Sequence, residues 1–163
     1  MVTLPDPLLD AVRERVLNGL SDTTADRSLA EEIAGRVVAY LRNTAETTVS
    51  VDEDGTTFVI TGDIPAMWLR DSAAQLMPLL RLVAGGVGAE EDRAMLVSLL
   101  SGLLRRHWQY IEIDPYANAF NRRPDNSHWD EDATEFDNPW AWERKFELDS
   151  LSYGPDLAWR LWS

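Results

Sequence analysis

The sequence predicts a mainly helical chain: helical hairpins with one small β-hairpin, forming the opening part of a larger helical barrel or array. Three observations carry that prediction. Apolar residues recur every three or four positions through most of the 163 residues, the mark of amphipathic helices. A single pair of β-branched runs flanks Asp54-Gly55, a dipeptide that favours tight hairpin turns. Successive helical segments each carry an apolar face that only another helix can cover.

Taken in order, Asp6 reads as an N-cap with Pro7 at the first helical position, where its missing N–H has no partner to lose. Leu8, Leu9, Val12, Val16 and Leu20 then mark one face of a helix ending near Gly19-Leu20. Ser28-Leu29-Ala30-Glu31 fits a capping box, and Leu29, Ile33, Val37 and Leu41 follow at four-residue intervals, giving a second helix to about Arg42. The two are expected to pack antiparallel. Strands are expected over 47–52 and 56–61. A third helix starts at Ser72, with a capping box from Ser72 to Gln75, and Pro78 predicts a bend or a restart. Gly85-Gly86-Val87-Gly88 breaks it. A fourth helix over 90–110 begins with Glu90, Glu91 and Asp92 and carries Arg105, Arg106 and His107 near its end, a charge order that suits the helix dipole.

Residues 111–140 read as a long loop rich in turn formers, including Asp114-Pro115, Pro124-Asp125-Asn126 and Asn138-Pro139. Tyr116, Phe120, Trp129, Phe136 and Trp140 argue that this loop folds back over something rather than staying disordered. Helical patterning returns over 142–153, Gly154-Pro155 interrupts it, and a new apolar run covers 156–162. Trp159 and Trp162 in that run need neighbours, so residues 1–163 are expected to be the N-terminal part of a single larger domain, inactive and prone to aggregate when isolated.

Composition narrows the function classes. An apolar fraction of 45% is that of a globular protein. Cysteine is absent, which rules out disulfides and thiolate metal sites within the chain and fits a reducing compartment. A net charge of -13 argues against nucleic acid and anionic membranes as partners. The first residues lack a basic stretch followed by an apolar run, and the longest apolar stretch, 94–104, is broken by Ser98, Ser101 and Gly102. A bilayer span needs ~20 apolar residues, so the cytoplasm is the expected location. His107 and His128 lack ligand spacing, so neither a metal nor a cofactor is expected. The glycine cluster at 85–88 has no following Lys-Ser/Thr, and no G-x-S-x-G elbow occurs.

Three segments carry chemistry. Thr61-Gly62-Asp63-Ile64-Pro65-Ala66-Met67-Trp68-Leu69-Arg70-Asp71-Ser72 places an indole beside an Arg-Asp pair at a helix start, a way to hold a sugar by its C–H face and its vicinal hydroxyls. Asp71 as a helix-start carboxylate paired with Arg70, with Trp68 in the core, explains the same residues. In Asp114-Pro115-Tyr116-Ala117-Asn118-Ala119-Phe120-Asn121, Asn118 and Asn121 can bond hydroxyls or their own backbone. Trp142-Glu143-Arg144-Lys145-Phe146-Glu147-Leu148-Asp149-Ser150-Leu151, preceded by Trp140-Ala141, mixes five charges with large apolar groups. On a helix Arg144, Glu147 and Leu151 share one face and Lys145, Asp149 and Trp142 another, which suits a solvated face as well as a pocket.

In order and in approximate spacing, these three segments resemble the early signatures of glycoside hydrolase family 125. The resemblance spans nearly the whole chain and is weakest before Thr47. It implies an (α/α)6 barrel and metal-independent, inverting hydrolysis of non-reducing terminal α-1,6-linked mannose, with an α-mannoside or mannose-containing oligosaccharide as ligand. The family's pattern implies that Arg70 and Asp71 bind the terminal mannose, and that Glu143, Arg144, Lys145 and Asp149 line or brace the pocket. Trp68 and Asn118 complete the candidate set. The same resemblance places the catalytic acid and base beyond Ser163, so none of Asp63, Asp71, Glu143 and Asp149 is assigned to that pair. One departure is visible: the family continues with Cys-Tyr-Pro, whereas Ser152-Tyr153-Gly154-Pro155 shifts the proline by one. Two other readings stay open, a non-catalytic carbohydrate-binding module and a helical interaction module.

Overall fold

The computed structural model describes residues 1–21, 23, 26–132 and 138–163, with the backbone alone for Glu131; Phe136 lies outside the described residues. Helix α1 (Asp6–Leu20) begins one residue earlier than its sequence suggests, with Pro5 as N-cap. Asp6 is therefore not the cap, and its carboxylate accepts from Arg42 at 2.6 Å instead. Helix α2 (Arg27–Thr48) is capped by Asp26, which accepts from the backbone N–H groups of Ser28 and Leu29, so the capping box at Ser28 does not form. It also runs six residues past Arg42, because Ala45 and Thr48 continue its buried face. The Arg42–Asp6 and Arg13–Glu31 pairs join opposite ends of the two helices, which makes them antiparallel neighbours.

Strands β1 (Val49–Val51) and β2 (Thr57–Val59) form the expected hairpin, shorter than the sequence suggests because 47–48 stay helical. Its turn residue Gly55 has a φ of 76°, a left-handed conformation that favours glycine. Asp52 at the hairpin accepts from both Arg106 and Arg122, whose guanidinium groups lie over the Phe58 ring. Burial raises the Asp52 carboxyl, but the two arginines outweigh it and hold it below the usual carboxylate range.

Strand β3 (Ala66–Trp68) leads directly into α3 (Leu69–Ala84), which starts three residues before Ser72 with Trp68 as N-cap. Ser72 is not a cap: its hydroxyl is buried against His107. The helix passes through Pro78 without restarting, since Leu76, Leu79 and Leu80 bury the same face on both sides of the ring. Helix α4 (Glu90–Ile113) opens with Asp92 accepting from the Ala89 N–H at 3.0 Å. It runs three residues beyond Tyr110. Arg106 and His107 consequently face inward rather than sitting at the helix end, and no basic residue occupies its last turn.

The 111–140 stretch is not a structureless loop. It contains strand β4 (Ala119–Asn121) and a short 3-10 turn, Asp130–Asp132. Nor is the next segment helical at 142: strand β5 (Ala141–Glu143) pairs antiparallel with β4, and helix α5 (Leu148–Trp162) begins later and runs through Gly154-Pro155. Pairing with β4 overrides the helical charge pattern, as tertiary context commonly does. Arg144 and Lys145 thus lie outside any helix.

The resulting sheet, ordered β3-β4-β5 and wholly antiparallel, sits at one end of three helices. Arg70 meets Asp149, so the first turns of α3 and α5 are adjacent. Ser72 meets His107, so α4 runs antiparallel to α3. The main core joins Leu8, Leu41, Leu76, Leu100, Phe120 and Leu157; a second, smaller core of Ala66, Ala119 and Trp142 lies under the sheet with Trp68 packed on it. Among the described residues no helix is long and apolar enough to cross a membrane.

Candidate functional site

Each of the three motifs contributes one strand to the β3-β4-β5 sheet, and the strand ends bring their polar residues together. Trp68 ends β3, Asn118 immediately precedes β4 and Glu143 ends β5. Backbone bonds fix the register at this corner: Asn118 N–H donates to the Glu143 carbonyl at 3.1 Å, and Leu69 N–H donates to the Asn118 carbonyl at 3.1 Å.

Glu143 is the hub. Its Oε2 accepts from Trp68 Nε1 at 3.0 Å and from Asn118 Nδ2 at 2.5 Å, while Oε1 accepts from Lys145 Nζ at 2.5 Å. Burial alone raises this carboxyl, but the Lys145, Trp68 and Asn118 hydrogen bonds outweigh it and keep it below the usual range. An ionised carboxylate saturated by three donors cannot serve as a proton donor at neutral pH. It organises the donors around it.

Asn118 is consumed in the same way. Its Oδ1 accepts from Lys145 N–H at 2.9 Å while its Nδ2 holds Glu143. Asn121 likewise donates to the Ser127 and Pro139 carbonyls and braces the loop.

A second cluster surrounds Arg70 in the first turn of α3. Its Nη1 lies 2.9 Å from Asp149 Oδ2 and 3.8 Å from Glu147 Oε2, and its Nε lies 3.5 Å from Asp71 Oδ2. The Asp149 hydrogen bond and the Asp71 charge push the Arg70 guanidinium further up, and the Arg70 hydrogen bond holds Asp149 down. Three acids around one guanidinium leave carboxylate oxygens exposed to solvent: Asp71 and Asp149 are 36% and 52% exposed. Those oxygens, with the half-buried Trp68 ring, suit the hydroxyls and apolar face of a sugar.

Along 143–147 the contacts alternate. Glu143, Lys145 and Glu147 engage the site, whereas Arg144 turns to Asp114, with Nε to Oδ2 at 2.8 Å, and lies over the Tyr116 ring. Arg144 braces the segment from behind. Asp114 also accepts from Tyr116 N–H and Asn138, and together with Arg144 these offset the burial that raises its carboxyl.

Sequence reasoning missed Asp132, and it named Trp129 and Glu147 without placing them in the candidate set. Asp132 Oδ1 lies 2.9 Å from Lys145 Nζ, and Trp129 stands between Trp68 and Trp142 at centroid distances of 6.3 Å and 5.7 Å. The Asp132 N–H to Trp129 carbonyl bond forms the turn that presents both. One signal was available: Lys145 is the only lysine in a chain whose Lys and Arg total 15.

Residues 31–163 match the family model of the metal-independent α-mannosidases, GH125. The meiotically up-regulated gene 157 protein of Schizosaccharomyces pombe is 34% identical over 143 residues, which cover 81% of this chain and 27% of that protein. A solved structure of a metal-independent α-mannosidase from Streptococcus pneumoniae, in a non-productive complex with α-1,6-mannobiose, superposes with a TM-score of 0.79 at 36% identity. That match takes in 99% of this chain and 34% of the other. The chain therefore spans about a quarter to a third of the length of these relatives.

Proposed function

The chain belongs to the metal-independent α-mannosidases of glycoside hydrolase family 125, and from that premise we propose that it supplies part of the sugar pocket of an exo-acting α-mannosidase. The substrate is a non-reducing terminal α-1,6-linked mannose. Residues 1–163 form the N-terminal part of one (α/α)6-barrel catalytic domain. The observation that carries this reading is the convergence of Trp68, Asn118 and Lys145, drawn from three separate motifs, on the Glu143 carboxylate. The Streptococcus pneumoniae relative's complex with α-1,6-mannobiose supports the ligand class.

In this reading Arg70, Asp71 and Asp149 take the mannose hydroxyls, and Trp68 offers its ring to the C–H face of the pyranose. Glu143 and Asn118 hold Trp68 and Lys145 in place, and Arg144 braces them. Hydrolysis proceeds with inversion: a protonated carboxyl assists the departing oxygen while a second carboxylate activates water, the two standing ~6.5–9.5 Å apart. The acid role does not fall to Glu143 or Asp149, whose donors hold them ionised. The acid and base come from the remainder of the protein, in keeping with relatives about three times as long.

The test is mannose release from α-1,6-mannobiose by the full-length protein in the presence of EDTA, with the first-formed anomer read by proton NMR. Release of β-mannose in EDTA is expected. Loss of activity in EDTA restored by a divalent ion, or α-mannose as the first product, overturns the mechanism. Binding of mannobiose without release would leave a carbohydrate-binding module.

A further inference from the structure

Asp132 lies at the end of the 3-10 turn with its side chain 1% exposed, yet its neighbour Lys145 is 62% exposed. Burying a carboxylate is costly, and a half-solvated ion pair returns little of that cost. Asp132 has no other ion-pair partner among the described residues, and both Oδ1 and Oδ2 are buried without a hydrogen-bond donor. Locally unfavourable groups of this kind concentrate where a site must be held in one geometry.

The choice of cation points the same way. Every other basic side chain of the Lys and Arg set is arginine, which spreads its charge over a planar fork, whereas an ammonium is a compact centre with three radiating N–H groups. At Lys145 the Nζ stands 2.5 Å from Glu143 Oε1 and 2.9 Å from Asp132 Oδ1. One donor is thereby directed at Glu143, Asp132 stands against the ammonium as a charge without a hydrogen bond, and N–H groups are left for a ligand on the exposed side. Trp129, in the same turn, stands over Trp68 on the sugar-facing wall.

We propose that Asp132 is a positioning residue of the sugar site, its charge holding the Lys145 ammonium against Glu143 so that a remaining N–H donates to a hydroxyl of the bound mannoside. The inference rests on the mannoside reading of the site, and adds a residue that the three motifs do not contain. Asp132 touches no ligand itself; it acts through Lys145.

The experiment has two arms, both on the full-length protein. In the first, a limiting amine-acylating reagent is added and the rate at Lys145 is read by peptide mass spectrometry for wild type and Asp132→Asn. Only the neutral amine reacts, so removing the carboxylate raises the Lys145 rate about threefold to tenfold. In the second, calorimetry reads α-1,6-mannobiose affinity. Asp132→Asn and Lys145→Met each weaken it about tenfold, and the double variant is no weaker than Lys145→Met alone, because both substitutions remove one interaction. Lys145→Arg keeps the charge, leaves Asp132 in place, and weakens binding similarly. An unchanged acylation rate, additive losses in the double variant, or Lys145→Arg binding like wild type each overturns the proposal. Should the wild type bind no mannobiose, the mannoside reading falls and takes the ligand contact with it, while the acylation arm still decides whether Asp132 holds Lys145.

Discussion

The indole Nε1 of Trp68 donates to Glu143 Oε2 at 3.0 Å, tying the entry of α3 to the end of β5. That bond makes the position of the indole depend on the charge state of a carboxylate 75 residues away. Replacing Glu143 by Gln keeps the shape but turns one acceptor into a donor, which must then face Lys145 or the Trp68 and Asn118 pair. Loss of one charged hydrogen bond costs ~1.5–3 kcal/mol. Mannobiose affinity of the full-length Glu143→Gln protein should therefore fall by roughly 10- to 150-fold. Wild-type affinity in that variant would detach the hub from the site.

Asp71 separates stability from function. It is 36% exposed and 3.5 Å from Arg70 Nε, and an exposed pair of that kind contributes at most ~1 kcal/mol. The full-length Asp71→Ala protein should keep its thermal midpoint within a few degrees while kcat/KM drops by about a hundredfold or more, as expected where a carboxylate grips a hydroxyl in the transition state. Unchanged kinetics would remove Asp71 from the sugar site.

The elements legible in the sequence were those set by local chemistry. The helix faces of α1, α2 and α4 and the Asp54-Gly55 hairpin follow from periodicity and turn residues, and all four formed. What periodicity could not show was pairing between distant segments. The β3-β4-β5 sheet uses three-residue strands, too short to leave an alternating pattern, so residues 142–147 read as helix and 117–121 as loop. The same blindness hid Asp132, whose side chain is distinguished by its contact with Lys145 across 13 positions. Arg70 and Asp149 were named separately, but their contact depends on α3 and α5 starting side by side, which no local pattern encodes.

Gly102 puts a general rule against a local one. In a helix interior Gly→Ala ordinarily stabilises by ~0.5–1 kcal/mol. A Cβ at Gly102, however, would stand 2.6 Å from Thr57 Oγ1 and 2.8 Å from the Gly55 carbonyl oxygen. The second of these is backbone in a tight turn, and Thr57 Oγ1 already donates to the Leu99 carbonyl at 2.7 Å. Overpacking costs ~1–3 kcal/mol, so the clash wins and Gly102→Ala should lower the thermal midpoint by several degrees. A higher midpoint would show that the hairpin can slide off α4.

His107 gives the fold an acid sensitivity with a defined window. It is fully buried, its Nε2 is 2.9 Å from Ser72 Oγ, and Nδ1 has no hydrogen-bond partner. Burial pushes the imidazole down from 6.5 to about 4. A depressed folded-state pKa means that the unfolded chain binds the proton first. Stability is then intact above pH 6.5 and declines as pH falls towards 4, by roughly 3 kcal/mol across the window. Asp52, Asp114, Glu143 and Asp149 also lose stabilisation on acidification, but chiefly below the ordinary carboxylate range, so the upper part of the window reports His107. Thermal midpoints measured between pH 7 and 4.5 should fall steeply for wild type and less steeply for His107→Gln, which cannot protonate. Equal slopes in the two proteins would mean that the buried imidazole does not set the acid limit.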